Sequence, residues 1–576
     1  LFDISIKIAG AAGQGMQTIA YTLARALARQ GYYVHCYQDL MSRIRGGHNC
    51  AVMRIADRPV GSLAERANIL IALNGESVGL HAGEMVEGGV AIYDSKYKIG
   101  DAEVQKHNVK LFPVPLEALA VEHGKNRIML NSVASGVCFG LMEYDIDVLE
   151  DTLGDIFARK GDQAVEANIR AARAGHDFTL GNFPRGACPY CRLKPREVKP
   201  AGKLMMTGSE AAGYGAMAAG VKFVSAYPMS PATPVMEYLA ARQRDHGLVV
   251  EQAEDEIAAV NMAIGAAAAG ARAMTCTSGG GFALMAEGLS LAGMTEVPLV
   301  IYLAQRPGPA TGLPTRTEQA DLMFAIHGGH GEFPRAVLTP GDAAEAAEAM
   351  VRAFNHADRY QTPVIVLGDQ NLNDSFWTEG SLDLSRFAVE RGEIIEKWDD
   401  PDKEYLRYRI RPDGVSPRLV PGTENAVGYW DSDEHDERGH IAESASVRRR
   451  MTAKRLMKAR GLRAYAWEPQ VHGSGTEVAL VGFGSTKHAA REAAEWLAGH
   501  GVEAAAVHFP QAWPLPEKTG FILGKFQRII VVEQNATGQF AGLLKSELGL
   551  EAAGQIHRFD GRPMTAGYIV DSLNTL

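Results

Sequence analysis

The sequence predicts an α/β protein built from three doubly wound domains, and one recurring pattern carries that prediction. Short apolar runs end in Gly- or Pro-rich loops that open directly into helices, as strand–loop–helix units do. Ile4–Ala9 runs into Gly10-Ala-Ala-Gly13-Gln14-Gly15, and Val224–Ala226 into Tyr227-Pro-Met-Ser230-Pro-Ala-Thr-Pro234. Met274–Thr277 runs into Ser278-Gly-Gly-Gly281, Leu299–Gln305 into Arg306-Pro-Gly-Pro, and Val478–Phe483 into Gly484-Ser-Thr. The second observation is the stretch Glu251–Gly270, EQAEDEIAAVNMAIGAAAAG, in which four acids precede a helix made largely of Ala and Gly. Acids suit the positive end of a helix, and small side chains suit close packing behind it.

Composition bounds the function. A chain of 576 residues with 46% hydrophobic content can bury several cores, and 22% charged residues fit an ordinary globular protein. The net charge of −10, with no basic tract, argues against nucleic acid and anionic membranes as partners. No stretch reads as a membrane span, because the Ala/Gly-rich segment is weakly apolar and carries Asn261 and Arg272. LFDISIKIAG reads as a first strand and not as a signal peptide. Six scattered cysteines do not form a disulfide framework, so a reducing cytoplasm is the expected compartment.

In chain order, residues 1–182 read as a first domain. Ile4–Ala9 is a strand, Met16–Gln30 a helix, and Tyr33–Tyr37, Ile69–Leu73 and Val90–Tyr93 are further strands. GAAGQG places Gly at offsets 0, 3 and 5 and not at the 0, 2 and 5 of a dinucleotide fingerprint, and no acid follows the second strand, which disfavours a NAD-binding dehydrogenase. An anion-binding helix N-terminus at Gly13, Gln14 and Gly15 fits better, with Arg43, Arg45 and the Gly46-Gly47 pair nearby in sequence. Residues 183–203 form a linker rich in Pro, Gly and cations. Its Cys188-Pro-Tyr-Cys191 is open to three readings: half of a metal or iron–sulfur site, a redox pair, or ordinary linker cysteines.

Residues 204–375 form the domain with the chemical motifs, 376–470 an extended and partly irregular connection, and 471–576 a last α/β unit. Arg448–Arg450 open a charged helix read as a solvated face. His327-Gly-Gly-His330 is too sparse for a zinc site and is assigned substrate-edge or structural roles. Glu533-Gln-Asn535 stays unassigned.

YPMSPATP, QAEDEIAAVNMAIGAAAAG, TSGGGFALMAEG and QRPGPATGLPTRTEQADL together resemble the alpha subunit of the 2-oxoacid:ferredoxin oxidoreductases, and within them the 2-oxoglutarate enzymes. The resemblance covers nearly the whole chain. It implies a gamma-type domain fused ahead of a thiamine-pyrimidine-binding domain and a transketolase C-terminal-like domain. It also implies CoA-dependent oxidative decarboxylation, or its reverse, with electrons passed to ferredoxin. Thiamine diphosphate is then shared with a beta subunit that holds the diphosphate, Mg²⁺ and a [4Fe-4S] cluster, in an (αβ)₂ assembly. This sequence has no Gly-Asp-Gly motif, and Gly368-Asp369-Gln370 lacks the second Gly.

A carboxylate bonded to the pyrimidine N1′ helps the cofactor lose its C2 proton, and it works best buried. Matching QAEDE onto the family motif puts that role on Glu254. Asp255 and Glu256, each turned about 100° from its neighbour on a helix, are then capping or ion-paired acids. The resemblance also gives Tyr227 and Pro228 to the cofactor, and Ser230 and Arg306 to the substrate. Arg316 is the expected far-end cation for 2-oxoglutarate, a surface ion pair with Glu318 or Asp321 being the other reading. Coenzyme A is the expected anion at Gly13–Gly15 and Arg45. Pyruvate or a branched or aryl 2-oxoacid is the alternative substrate, and a non-catalytic scaffold subunit the alternative of another class.

Overall fold

A computed structural model describes residues 2–42, 46–188, 190–193, 203–398 and 403–575, which form two compact units. The first spans residues 1–206, with 375–381 and 565–568 added. Its strands are β1 (Asp3–Ala12), β2 (Tyr33–Asp39), β3 (Gly46–Ala56), β4 (Ala67–Ala72), β5 (Met85–Asp94), β6 (Lys110–Val114) and β7 (Leu204–Thr207). With Phe376–Glu379 they form one sheet in the order β6-β5-β4-β1-β3-β2-(376–379)-β7.

The β1, β4, β5 and β6 ladder is parallel, as a wound domain requires. β3 departs from the sequence reading. It runs antiparallel between β1 and β2, so Gly46-Gly47 opens a strand where a flexible Gly pair was expected. The alternation of Val52-Met-Arg-Ile-Ala56 is a strand pattern, and that hairpin is what it forms. The helices Leu130–Leu141 and Asp162–Asn182 pack through glycines: a Cβ on Gly136 would lie 1.8 Å from Ala172 O, and one on Gly175 2.2 Å from Val133 O.

The Cys188–Cys191 pair settles as a disulfide, with Cα atoms 5.3 Å apart across a turn closed by Cys191 N donating to Cys188 O. That spacing lies within bridging range. The other four cysteines are buried and free. Among the described residues no group of three or more His, Cys, Asp or Glu is placed to hold a metal ion. None of the described helices is long and apolar enough to cross a membrane.

The second unit holds 207–374, 382–564 and the last residues. Its strands are β8 (Phe223–Ala226), β9 (Val249–Gln252), β10 (Ala273–Thr277), β11 (Leu299–Gln305), β12 (Ala336–Leu338), β13 (Pro363–Asp369), β14 (Ile394–Lys397) and β15 (Arg418–Glu424). Toward the C-terminus follow β16 (Gln470–His472), β17 (Val478–Phe483), β18 (Ala504–Phe509), β19 (Gln511–Trp513), β20 (Arg528–Glu533) and β21 (Gly554–His557). The main sheet has the order β19-β12-β13-β11-β10-β8-β9, and a second has the order β16-β18-β17-β20-β21. β19, from the C-terminal region, completes the edge of the main sheet, so the segments 204–375 and 471–576 interlock within one unit.

The 376–470 connection is more ordered than its composition implied. β14 and β15 pair with each other, and Ala445–Ala464 is a helix. Its cations are not a solvated face throughout: Lys454 and Lys458 are buried against Glu296, with both Glu296 oxygens 2.7 Å from Lys454 Nζ. Asp358 gathers three arginines, Arg272 at 2.8 Å, Arg391 at 2.9 Å and Arg418 at 3.1 Å. A buried charge left unpaired costs several kcal/mol, so these clusters fix the connection onto the main sheet. Glu533 and Asn535 are structural too: Glu533 accepts from Phe540 N and Ala541 N, at 2.8 and 3.2 Å, and caps the helix Gln539–Leu548.

Candidate active site

β11, β10, β8 and β9 are neighbours and run parallel, so the loops after them gather at one carboxyl edge. Ligands bind at such an edge in open α/β sheets. Tyr227 follows β8 and is 39% exposed, Pro228 is half-buried, and Ser230 is exposed. Arg306 is the first residue after β11, and its Nη1 donates to Ser230 O at 2.7 Å. The structure therefore brings together Ser230 and Arg306, as the motifs led us to expect.

The acids after β9 divide differently from the expectation. Glu254 is exposed, which is at odds with the burial its assigned role requires. Asp255 is the N-cap of the helix Glu256–Ala268, its Oδ1 accepting from Ala258 N at 2.7 Å. Glu256, the first helical residue, is the buried acid at 3% exposure, and its Oε1 has no hydrogen-bond partner among the described residues. The cap decides this. It ends the extended chain at Asp255, leaving Glu254 outside the helix and turning Glu256 toward the turn after β10.

That turn is glycine because carboxylates press against it from two sides. A Cβ on Gly281 would lie 2.7 Å from Glu256 Oε1 and 2.1 Å from Thr277 Oγ1. A Cβ on Gly279 would lie 2.5 Å from Asp321 Oδ2. Asp321, offered by the sequence only as an ion-pair partner for Arg316, lies against this turn. Burial pushes its carboxyl up to about 6, against the pull of Arg306. Glu318 is pushed up to about 7 by burial and by Asp321. Burial lowers the Arg306 guanidinium, and Asp321 counters it. Orphaned buried carboxylates and carboxyls held partly neutral mark sites where protons or ligands are handled. One signal was present in the sequence: the Gly279–Gly281 run marks a close backbone approach.

The Cβ and Cγ of Arg316 lie beside Gly561, on the loop after β21. His327 and His330 are exposed, and His330 N donates to Ser290 Oγ at 2.8 Å.

In the first unit Gly13 and Gly15 take left-handed backbone, at φ +89° and +80°, as the loop into the helix Met16–Arg29 requires. Gln14 Oε1 accepts from Ala11 N at 2.7 Å, so its side chain braces the loop itself. A cavity of about 330 Å³ adjoins Gly13 and Gln14 and is lined by Lys96, Tyr97, Arg127 and Asn131. Arg45 lies outside the described residues.

A wound α/β fold with its candidate site at a sheet edge is the class these features define, and comparison with known proteins adds thiamine binding. Residues 214–454 match the family model described as "Pyruvate flavodoxin/ferredoxin oxidoreductase, thiamine diP-bdg". Residues 5–178 match "Pyruvate ferredoxin/flavodoxin oxidoreductase", and 468–559 "Transketolase, C-terminal domain". The 2-oxoacid:ferredoxin oxidoreductase subunit alpha of Saccharolobus solfataricus is 32% identical, over 100% of this chain and 98% of its own. The 2-oxoglutarate oxidoreductase subunit KorA of Mycobacterium tuberculosis is 28% identical, over 95% and 87%. A solved structure, the 2-oxoglutarate:ferredoxin oxidoreductase of Magnetococcus marinus with 2-oxoglutarate, coenzyme A and succinyl-CoA bound, superimposes with a TM-score of 0.92. It is 32% identical and covers 100% of this chain and 99% of its own. The chain belongs to the 2-oxoacid:ferredoxin oxidoreductases, as an alpha-type subunit.

Proposed function

We propose that this chain is the alpha subunit of a thiamine-diphosphate-dependent 2-oxoglutarate:ferredoxin oxidoreductase, and that Glu256 is its cofactor-activating acid. The orphaned, buried Oε1 of Glu256 at the carboxyl edge carries the reading. The residues present fit the pyrimidine end of the cofactor: Glu256 would meet the ring nitrogen, with Tyr227 and Pro228 beside it. When bound, thiamine diphosphate supplies an electron sink for decarboxylation of a 2-oxoacid.

The chain's own residues then bind and orient. Arg306 pairs with the substrate carboxylate through the guanidinium nitrogens that Ser230 O does not occupy, and the Ser230 hydroxyl donates to the 2-oxo oxygen. Asp321 faces Arg306 with its carboxyl pushed up to about 6, and Glu318, pushed up to about 7 beside Asp321, is the acid that shares a proton near neutral pH. The diphosphate, Mg²⁺ and a [4Fe-4S] cluster fall to a beta subunit, in an (αβ)₂ assembly that reduces ferredoxin in the cytoplasm. Support for a covering chain comes from apolar side chains left exposed around the site, Tyr227 at 39%, Ile257 at 50% and Leu284 at 50%. Coenzyme A is assigned to the loop Gly13, Gln14 and Gly15 and the cavity beside its first two residues, where Lys96 and Arg127, both paired with Glu117, are the cations, and Arg45 remains part of that proposal. Arg316 as the far-end cation for the second carboxylate is a separate proposal. The same chemistry run in reverse would fix CO₂.

The test is turnover of the chain reconstituted with its beta subunit, using a viologen dye, coenzyme A and a panel of 2-oxoacids. Strong preference for 2-oxoglutarate is expected. Preference for pyruvate or a branched acid would overturn the substrate assignment, and inactivity with every acid would return the chain to a scaffold role.

A further inference from the structure

The loop that carries Ser230 is held from behind by two neighbouring strands. Arg306, at the end of β11, donates to Ser230 O at 2.7 Å. One residue further on, Pro231 O accepts from Asn373 Nδ2 at 2.9 Å, and Asn373 Oδ1 accepts from Tyr302 OH at 2.7 Å. Tyr302 lies on β11 and Asn373 in the helical turn Gln370–Asp374 after β13, and both are fully buried.

The chemistry of these groups fixes their orientation. A carbonyl only accepts, so the amide nitrogen of Asn373 must face Pro231. The amide oxygen then meets Tyr302, whose hydroxyl must donate. Burial raises the Tyr302 phenol far above its ordinary range, so it stays a donor at any working pH. The relay also has its space reserved. A Cβ on Gly368 would lie 2.8 Å from Tyr302 OH and 2.9 Å from Asn373 Oδ1. A buried relay bonded at both ends is a rigid one.

We infer that Tyr302 and Asn373 are positioning residues for the 2-oxoacid: by fixing the Pro231 carbonyl, while Arg306 fixes that of Ser230, they set where the Ser230 hydroxyl stands. The inference rests on the reading of Ser230 as a substrate contact. The helix Thr233–Ala240 begins just beyond Pro231, so a loop released at this carbonyl can pivot between that helix and the end of β8. Specificity for the oxoacid then depends on side chains that never touch it.

The experiment uses the enzyme reconstituted with its beta subunit. Asn373→Leu keeps the volume and removes both bonds, and Tyr302→Phe is the milder second variant should the first fold poorly. Expected is a rise in KM for the 2-oxoacid of about tenfold for Asn373→Leu and about threefold for Tyr302→Phe. The KM for coenzyme A should stay unchanged and kcat within about twofold, a split that general loosening of the fold does not give. Ser230→Ala is measured alongside. If it raises the oxoacid KM while both relay variants leave it unmoved, the anchoring role is overturned and the substrate reading stands. If Ser230→Ala also leaves it unmoved, the substrate reading falls and this inference with it.

Discussion

Replacing Gly281 by alanine perturbs the candidate site through one methyl group. That Cβ would sit 2.7 Å from Glu256 Oε1, 2.8 Å from Glu256 Cγ and 2.1 Å from Thr277 Oγ1. Glu256 must retreat by about 0.7 Å to reach the 3.4 Å of an ordinary contact. Thr277 lies on a buried strand and cannot yield as far. Overpacking of this kind costs about 1–3 kcal/mol of stability. A catalytic group displaced by close to 1 Å loses on the order of 10–100-fold in turnover. Gly265→Ala is the control: it lies in the same helix as Glu256, is exposed, and would place its Cβ with nothing within 4 Å. It should stabilise by about 0.4–1 kcal/mol and leave turnover alone. Urea unfolding gives the stabilities and dye-linked turnover the activities. Gly281→Ala folding normally and turning over within twofold of the parent would refute the claim that this turn positions Glu256.

Asp358→Ala strips the counter-charge from Arg272, Arg391 and Arg418, and should destabilise the second unit by about 3–5 kcal/mol in urea melts. Burial raises the folded-state pKa of Asp321 above its ordinary value, so its contribution to stability is full below about 4 and is lost as pH rises through about 6. Asp321→Asn should therefore match the parent at low pH, exceed it in stability above about 6, and remove an inflection near 6 from the pH profile of kcat/KM for the oxoacid. Gly15→Ala forces a side chain into left-handed backbone, 1.8 Å from Asn131 Nδ2, and should raise the KM for coenzyme A without moving that for the oxoacid.

The wound architecture was legible because strand ends, Gly-rich loops and helix starts follow one another in the sequence with little interruption. β3 was missed because Gly46-Gly47 reads as a loop, although its antiparallel partner β2 is the strand just before it and only β1 lies further back. The order in 376–470 was hidden for a similar reason. Arg391, Arg418, Lys454 and Lys458 look like surface charges until the distant Asp358 and Glu296 are brought beneath them. At the site, motif position alone foretold that Arg306 and Ser230 lie on neighbouring loops at one sheet edge. Which of Glu254, Asp255 and Glu256 faces inward could not be read from it, because one residue of helix phase decides it, and only the Asp255 cap sets that phase. Asn373 and Tyr302 carry no motif, Asp321 lies in one that does not reveal its place, and the significance of all three comes from what the fold sets beside them.

Exchange of the C2 proton of thiamine diphosphate, followed by NMR in the reconstituted enzyme, tests the central claim most directly. Glu256→Gln keeps the shape and removes the acid, and it should slow exchange by on the order of 10²–10⁴-fold. Glu254→Gln, at an exposed position before the helix, should leave exchange within about threefold. Slow exchange in Glu254→Gln with normal exchange in Glu256→Gln would contradict the assignment and return the role to the exposed acid.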